Sequence, residues 1–62
     1  MQSNERLLRL PEVISMTGLS KTTIWRYERM GNFPKHYRIT LWTSAWKLID
    51  IESYIAKVTA NI

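Results

Sequence analysis

Residues 20–31 read Ser20-Lys21-Thr22-Thr23-Ile24-Trp25-Arg26-Tyr27-Glu28-Arg29-Met30-Gly31. Set on a helix at ~100° per residue, Lys21, Thr22, Trp25, Arg26 and Arg29 share an arc of roughly 140°. Thr23, Ile24, Tyr27 and Met30 take the opposite side, and Glu28, the segment's one acid, lies on the flank. A surface helix ordinarily mixes both signs of charge on its wet face. This one offers cations, a hydroxyl and an indole with no acid among them. Those are the side-chain types that meet base edges and phosphates in a DNA major groove. The plainer reading is a solvated helix whose basic face has no ligand.

The flanks of this segment carry start and stop signals. Ser20 is an N-cap type, and Leu19 and Ile24 stand at the two positions of a hydrophobic staple that fixes the entry angle of the chain. Gly31 and Pro34 end the helix. Upstream, Pro11-Glu12 opens a first helix of about two turns, with Val13, Ile14 and Met16 as its apolar surface and Gly18 as a left-handed C-cap. Two short helices joined by Thr17-Gly18-Leu19-Ser20 make a helix-turn-helix whose second helix reads.

Downstream, Tyr37 to Leu48 turns β-prone. Tyr37 and Ile39 alternate with Arg38 and Thr40, and Ser44, Trp46 and Leu48 alternate with Ala45 and Lys47. A period of two predicts a hairpin with one face inward. Its tip, Leu41-Trp42-Thr43, lacks the Gly or Asn of a tight primed turn, so a longer or irregular loop is expected. A third helix is predicted from Asp50 as N-cap, with Ile49 and Tyr54 as its staple and Ile51, Tyr54, Ile55, Val58 and Ile62 as its apolar stripe. Met1 to Glu5 is polar and expected to fray. The order helix, helix, hairpin, helix is mostly α with a small β-hairpin: one winged helix-turn-helix domain over residues 1–62.

Composition narrows the class. A chain of 62 residues buries only ~60% of its unfolded surface, so the core is small. Nine Lys and Arg against five Asp and Glu give a net charge of +4, which favours an anionic partner such as nucleic acid. The absence of cysteine excludes disulfides and thiolate metal sites, and His36, the one histidine, has no second ligand at metal spacing. No cofactor is expected. There is no nucleophile–base pair or carboxylate dyad for catalysis, and little volume for a pocket, so an enzyme is not expected. The longest uncharged run, Ile39 to Trp46, falls far short of the ~20 apolar residues of a membrane span. With no export signal either, a cytoplasmic protein is expected.

Three stretches carry a family resemblance. They are Arg6-Leu-Leu-Arg-Leu-Pro-Glu-Val13, Thr17-Gly-Leu-Ser-Lys-Thr-Thr-Ile-Trp-Arg26 and Gly31-Asn-Phe-Pro-Lys35. Together they resemble the AlpA-type prophage regulators, small DNA-binding proteins related in fold to the excisionases and the MerR-type winged helices. Trp46, Asp50, Ile51, Tyr54 and Ile55 match the spacing of the family's closing pattern, so the resemblance covers about residues 6 to 56. One departure stands out. The family's wing carries a glycine followed by an arginine four residues before the tryptophan. Here Trp42 occupies the arginine's place and the glycine is absent. The resemblance implies a bacterial or phage-encoded protein of a mobile element that regulates transcription, assists excision, or does both.

The candidate DNA-binding residues are Ser20, Lys21, Thr22, Trp25, Arg26, Arg29, Lys35, His36 and Arg38. Lys21 and Thr22 occupy the first turn of the reading helix, where such proteins touch base edges, and Thr22 can meet a thymine methyl. Arg26 and Arg29 suit guanine edges or phosphates, and the family resemblance also implies an arginine at position 26. Lys35, His36 and Arg38 form a basic approach to the hairpin, suited to phosphate contacts that position without specifying. For Trp25 two readings stand: contact with sugar-phosphate or a thymine methyl, or a fold-back onto the hairpin as core edge. For Trp42 there are three: contact with DNA, self-association, or packing.

Three functions compete. The first is a sequence-specific regulator on double-stranded DNA, with RNA polymerase as a further partner. The second is an architectural excisionase that lines up along an attachment site, bends it and recruits an integrase. The third, from another class, is a protein-interaction module. A single module of this size covers ~600–1,000 Å² of interface, so several copies would be needed on one site, through Trp42 or the third helix.

Overall fold

The computed structural model describes residues 6–60. In chain order the elements are β1 (Leu7–Leu8), α1 (Leu10–Thr17), α2 (Lys21–Arg29), β2 (Tyr37–Thr40), β3 (Thr43–Lys47) and α3 (Leu48–Thr59). This is a mostly α winged helix-turn-helix. The expectations for Met1–Glu5 and for Ile62 lie outside the described residues.

Local chemistry explains the helix-turn-helix. At the start of α1, Glu12 Oε1 accepts from the Arg9 backbone N–H at 3.0 Å, and Pro11 needs no partner for a missing donor. Gly18 closes the helix at φ 75°, and its N–H donates to the Ile14 carbonyl at 2.8 Å. Thr17 then steadies the turn: its hydroxyl donates to the Val13 carbonyl and accepts from the Leu19 N–H. Ser20 caps α2, its Oγ accepting from the Thr23 N–H at 3.2 Å. At the other end Gly31, at φ 82°, lets the chain turn back so that the Asn32 N–H reaches the Tyr27 carbonyl at 2.8 Å.

The wing differs from its expectation in three respects. First, it has a third strand. β1 pairs antiparallel with β3, Leu7 facing Lys47 and Leu8 facing Trp46, so the sheet order is β1-β3-β2. Two residues are too short for a period to be read. Second, the one-face-inward pattern fails. β3 is central, and neighbouring Ala45 and Trp46 are both buried, whereas all four residues of β2 are exposed. Third, the tip is shorter than expected. Thr40 pairs with Thr43, leaving Leu41-Trp42 as the turn, and the irregularity sits in β2, where the register shifts between Arg38 and Thr40. Neither Leu41 nor Trp42 has positive φ, so the turn is not a primed one.

α3 starts at Leu48, not after Asp50. Lys47 is the extended N-cap residue and makes no side-chain cap. The Leu48 N–H is satisfied from afar, by the Arg6 carbonyl at 2.9 Å, so the helix grows straight out of β3. Asp50 lies in the first turn, where it suits the helix dipole.

One cluster holds these elements together: Leu8, Val13, Ile24, Phe33, Trp46 and Ile51. Each contributes about 1.5–3 kcal/mol on full burial. Tyr27, Tyr54 and Ile55 pack against its edge, but Val58 is exposed, so the apolar stripe of α3 is covered only in its first turns. Trp46 is fully buried, and its indole N–H donates to the Pro34 carbonyl at 3.0 Å. Through that bond the core grips the segment between α2 and β2.

Candidate nucleic-acid interface

Ile24 is the buried pole of α2, and the outward pole follows from it. At ~100° per residue, the direction opposite Ile24 falls between Thr22 and Arg26, with Arg29 beside them. All three are exposed, as is Lys21. Met30, expected on the inner side, lies outward as well, 58% exposed. The basic arc read from the sequence is therefore displaced: its Trp25 edge turns inward.

Trp25 is half-buried and packs on the core cluster. Its ring lies 5.6 Å from that of Trp46 and meets His36 edge-on at 5.3 Å. Of the two readings for this residue, the core-edge one describes its contacts. The signal lay in the partner segment: residues 33–36 return across the flank of α2 that holds Trp25 and Glu28.

Ser20 spends its hydroxyl on the helix, accepting from the Thr23 N–H and donating to Thr23 Oγ1 at 2.9 Å. His36 is engaged too. Its backbone N–H donates to Glu28 Oε2 at 2.8 Å, and its Nδ1 lies 2.9 Å from Glu28 Oε1. With Nδ1 committed to Glu28, only Nε2 is left for any other partner. The basic residues nearest to Glu28 in sequence are Arg26 and Arg29 of its own helix; the partner it takes, His36, is eight positions away, beyond the end of α2.

Lys21, Arg26, Arg29, Lys35 and Arg38 are exposed, and none pairs with an acid among the described residues. The acids engaged there are Glu12, in an ion pair with Arg6, and Glu28, bonded to His36. Arg29 and Lys35 face one depression, lined also by Trp25, Glu28 and His36. Arg38 sits on β2 opposite Ser44. The wing tip is of another kind: Leu41 and Trp42 are 75% and 90% exposed. That exposure removes packing from the readings of Trp42. No helix among the described residues is long and apolar enough to cross a membrane.

Over 54 residues the chain is 35% identical to the "Uncharacterized protein ORF88" of Enterobacteria phage P4, a match covering 87% of this chain and 61% of that protein. The chain thus spans about three-fifths of the length of the curated relative it matches. The sequence model of the family described as "Prophage CP4-57 regulatory protein (AlpA)" matches residues 6–59, taking in every element from β1 to α3. The chain belongs to the AlpA family of prophage regulatory proteins.

Proposed function

We propose that this regulator is a sequence-specific binder of double-stranded DNA that controls transcription, with α2 in the major groove. One observation carries the reading: the outward face of α2 presents Thr22, Arg26 and Arg29 with no acid partner among the described residues. Thr22 and Lys21 lie in the first turn, where a recognition helix meets base edges. Arg26 is the base-reading arginine, suited to a guanine edge. Lys35 and Arg38 hold phosphates and set the register without reading sequence. Ser20, Trp25 and His36 support the helix and its flank instead of touching DNA.

A second reading, the architectural excisionase, is favoured by the exposed apolar tip Leu41-Trp42. An indole cannot neutralise a phosphate but can bury a large apolar area against another copy. Copies joined in that way would line up along an attachment site, where an integrase would be the further partner. For the regulator, that partner is RNA polymerase. Footprinting on the source genome's DNA separates the readings. A single protected site over a promoter supports the regulator. Phased repeats beside a recombination site support the excisionase. Protection nowhere above random DNA overturns sequence-specific binding and leaves the protein-interaction module.

A further inference from the structure

The reading helix carries one acid, Glu28, and its side chain is only 11% exposed. Both oxygens are committed to one residue. Oε2 accepts from the His36 backbone N–H at 2.8 Å, and Oε1 lies 2.9 Å from His36 Nδ1. Two neighbouring bonds to one carboxylate fix a segment far better than one. The segment so fixed carries Lys35, the residue before the clamp. On its other side the Pro34 carbonyl is held by the Trp46 indole at 3.0 Å. Lys35 therefore stands between two anchored residues, while its own side chain is exposed and shares a depression with Arg29 of α2.

We infer that Glu28 is a positioning residue: its clamp on His36 sets Lys35 beside Arg29, so that the pair grips one backbone phosphate at the C-terminal end of the reading helix. The inference rests on the DNA-binding reading above. The depression sets two exposed cations beside one acid whose two oxygens are already bonded to His36, an arrangement that suits an anion. The pair would fix how far along the groove α2 advances, while Arg26 reads. The clamp also holds the helix's one acid against the flank, away from the outward face of Thr22 and Arg26.

The sign of one substitution makes the test sharp. An acid near phosphates repels them, so its removal alone tightens binding. If Glu28 positions Lys35, Glu28→Ala weakens binding to a random-sequence duplex instead. It also makes the slope of log K against log salt shallower by about 0.9, one phosphate. Lys35→Ala has the same effect on slope, and Glu28→Ala added to Lys35→Ala costs nothing further. Glu28→Gln, which keeps an acceptor for the His36 N–H, retains the slope and binds at least as tightly as the parent. A Glu28→Ala protein that binds as well as the parent, or whose loss adds in full to that of Lys35→Ala, overturns the inference while DNA binding stands. A parent that shows no salt-dependent duplex binding removes the DNA reading itself. Should Glu28→Ala fail to fold, duplex titrated into the isotope-labelled parent decides: the Arg29 side-chain and Lys35 backbone resonances shift together with those of Arg26. Shifts confined to Arg26 and the first turn of α2 overturn it.

Discussion

Replacing Trp46 tests the claim that the core holds the DNA-facing segment. Trp46 is fully buried and packs near Trp25, Phe33 and His36, and its indole N–H bonds the Pro34 carbonyl. Trp46→Phe keeps an aromatic ring but strands that carbonyl, a cost of about 1–3 kcal/mol. For a domain of this size each kcal/mol lowers Tm by about 4–8 °C, so the expected fall is roughly 5–20 °C. Trp46→Ala costs about 3–5 kcal/mol. A single core in so small a chain supplies roughly 3–5 kcal/mol in all, so Trp46→Ala should be largely unfolded at 25 °C. Thermal melts followed by circular dichroism give both numbers. The Phe variant, measured where it is fully folded, should also bind duplex DNA less well, because Pro34 precedes Lys35. A Trp46→Phe protein with the parental Tm would refute the reasoning, since the buried bond would then contribute nothing.

Three further outcomes follow from the same geometry. Ser20→Ala should cost about 1 kcal/mol by melting, Ser20→Gly only a few tenths, and neither should alter sequence preference in competition binding. Arg26→Ala should remove about 1–3 kcal/mol of discrimination between cognate and random DNA. Lys35→Ala should instead weaken all sequences alike, so equal losses for Arg26→Ala on both DNAs would place the specificity elsewhere. Trp42→Arg should leave the unfolding free energy within about 0.5 kcal/mol of the parent, because the indole is 90% exposed. It should strengthen binding to one site at low salt and reduce cooperativity on two-site DNA; unchanged cooperativity would shift self-association to α3.

What the sequence disclosed was local chemistry. Ser20, Gly18, Gly31 and the Leu19–Ile24 pair act within a few residues of themselves, so their roles follow from spacing. What it concealed depends on distant partners. β1 exists because Leu7 and Leu8 meet Lys47 and Trp46, some forty positions on, and two residues show no period. Asp50 looked like a cap because nothing nearby reveals that the Arg6 carbonyl takes the Leu48 N–H. The burial of both Ala45 and Trp46 follows from the elements packed around β3, the helices α1 and α3 as well as the flanking strands, which alternation within the strand cannot report. At the interface, the exposed cations of α2 were legible from angular position. The limit of that arc was not: Trp25 and Glu28 are claimed by residues 34–36, which lie beyond the helix and cross its flank. The family resemblance was legible over nearly the whole chain, and the family match over residues 6–59 agrees with it.

The central claim is that the acid-free face of α2 and its neighbours bind double-stranded DNA. The most direct measurement is the binding constant of the parent protein for a duplex across a series of salt concentrations. If about four of the five exposed cations Lys21, Arg26, Arg29, Lys35 and Arg38 each neutralise a phosphate, log K should fall against log salt with a slope of about −3.6. A binding constant indifferent to salt, or no measurable binding at low salt, would contradict the account.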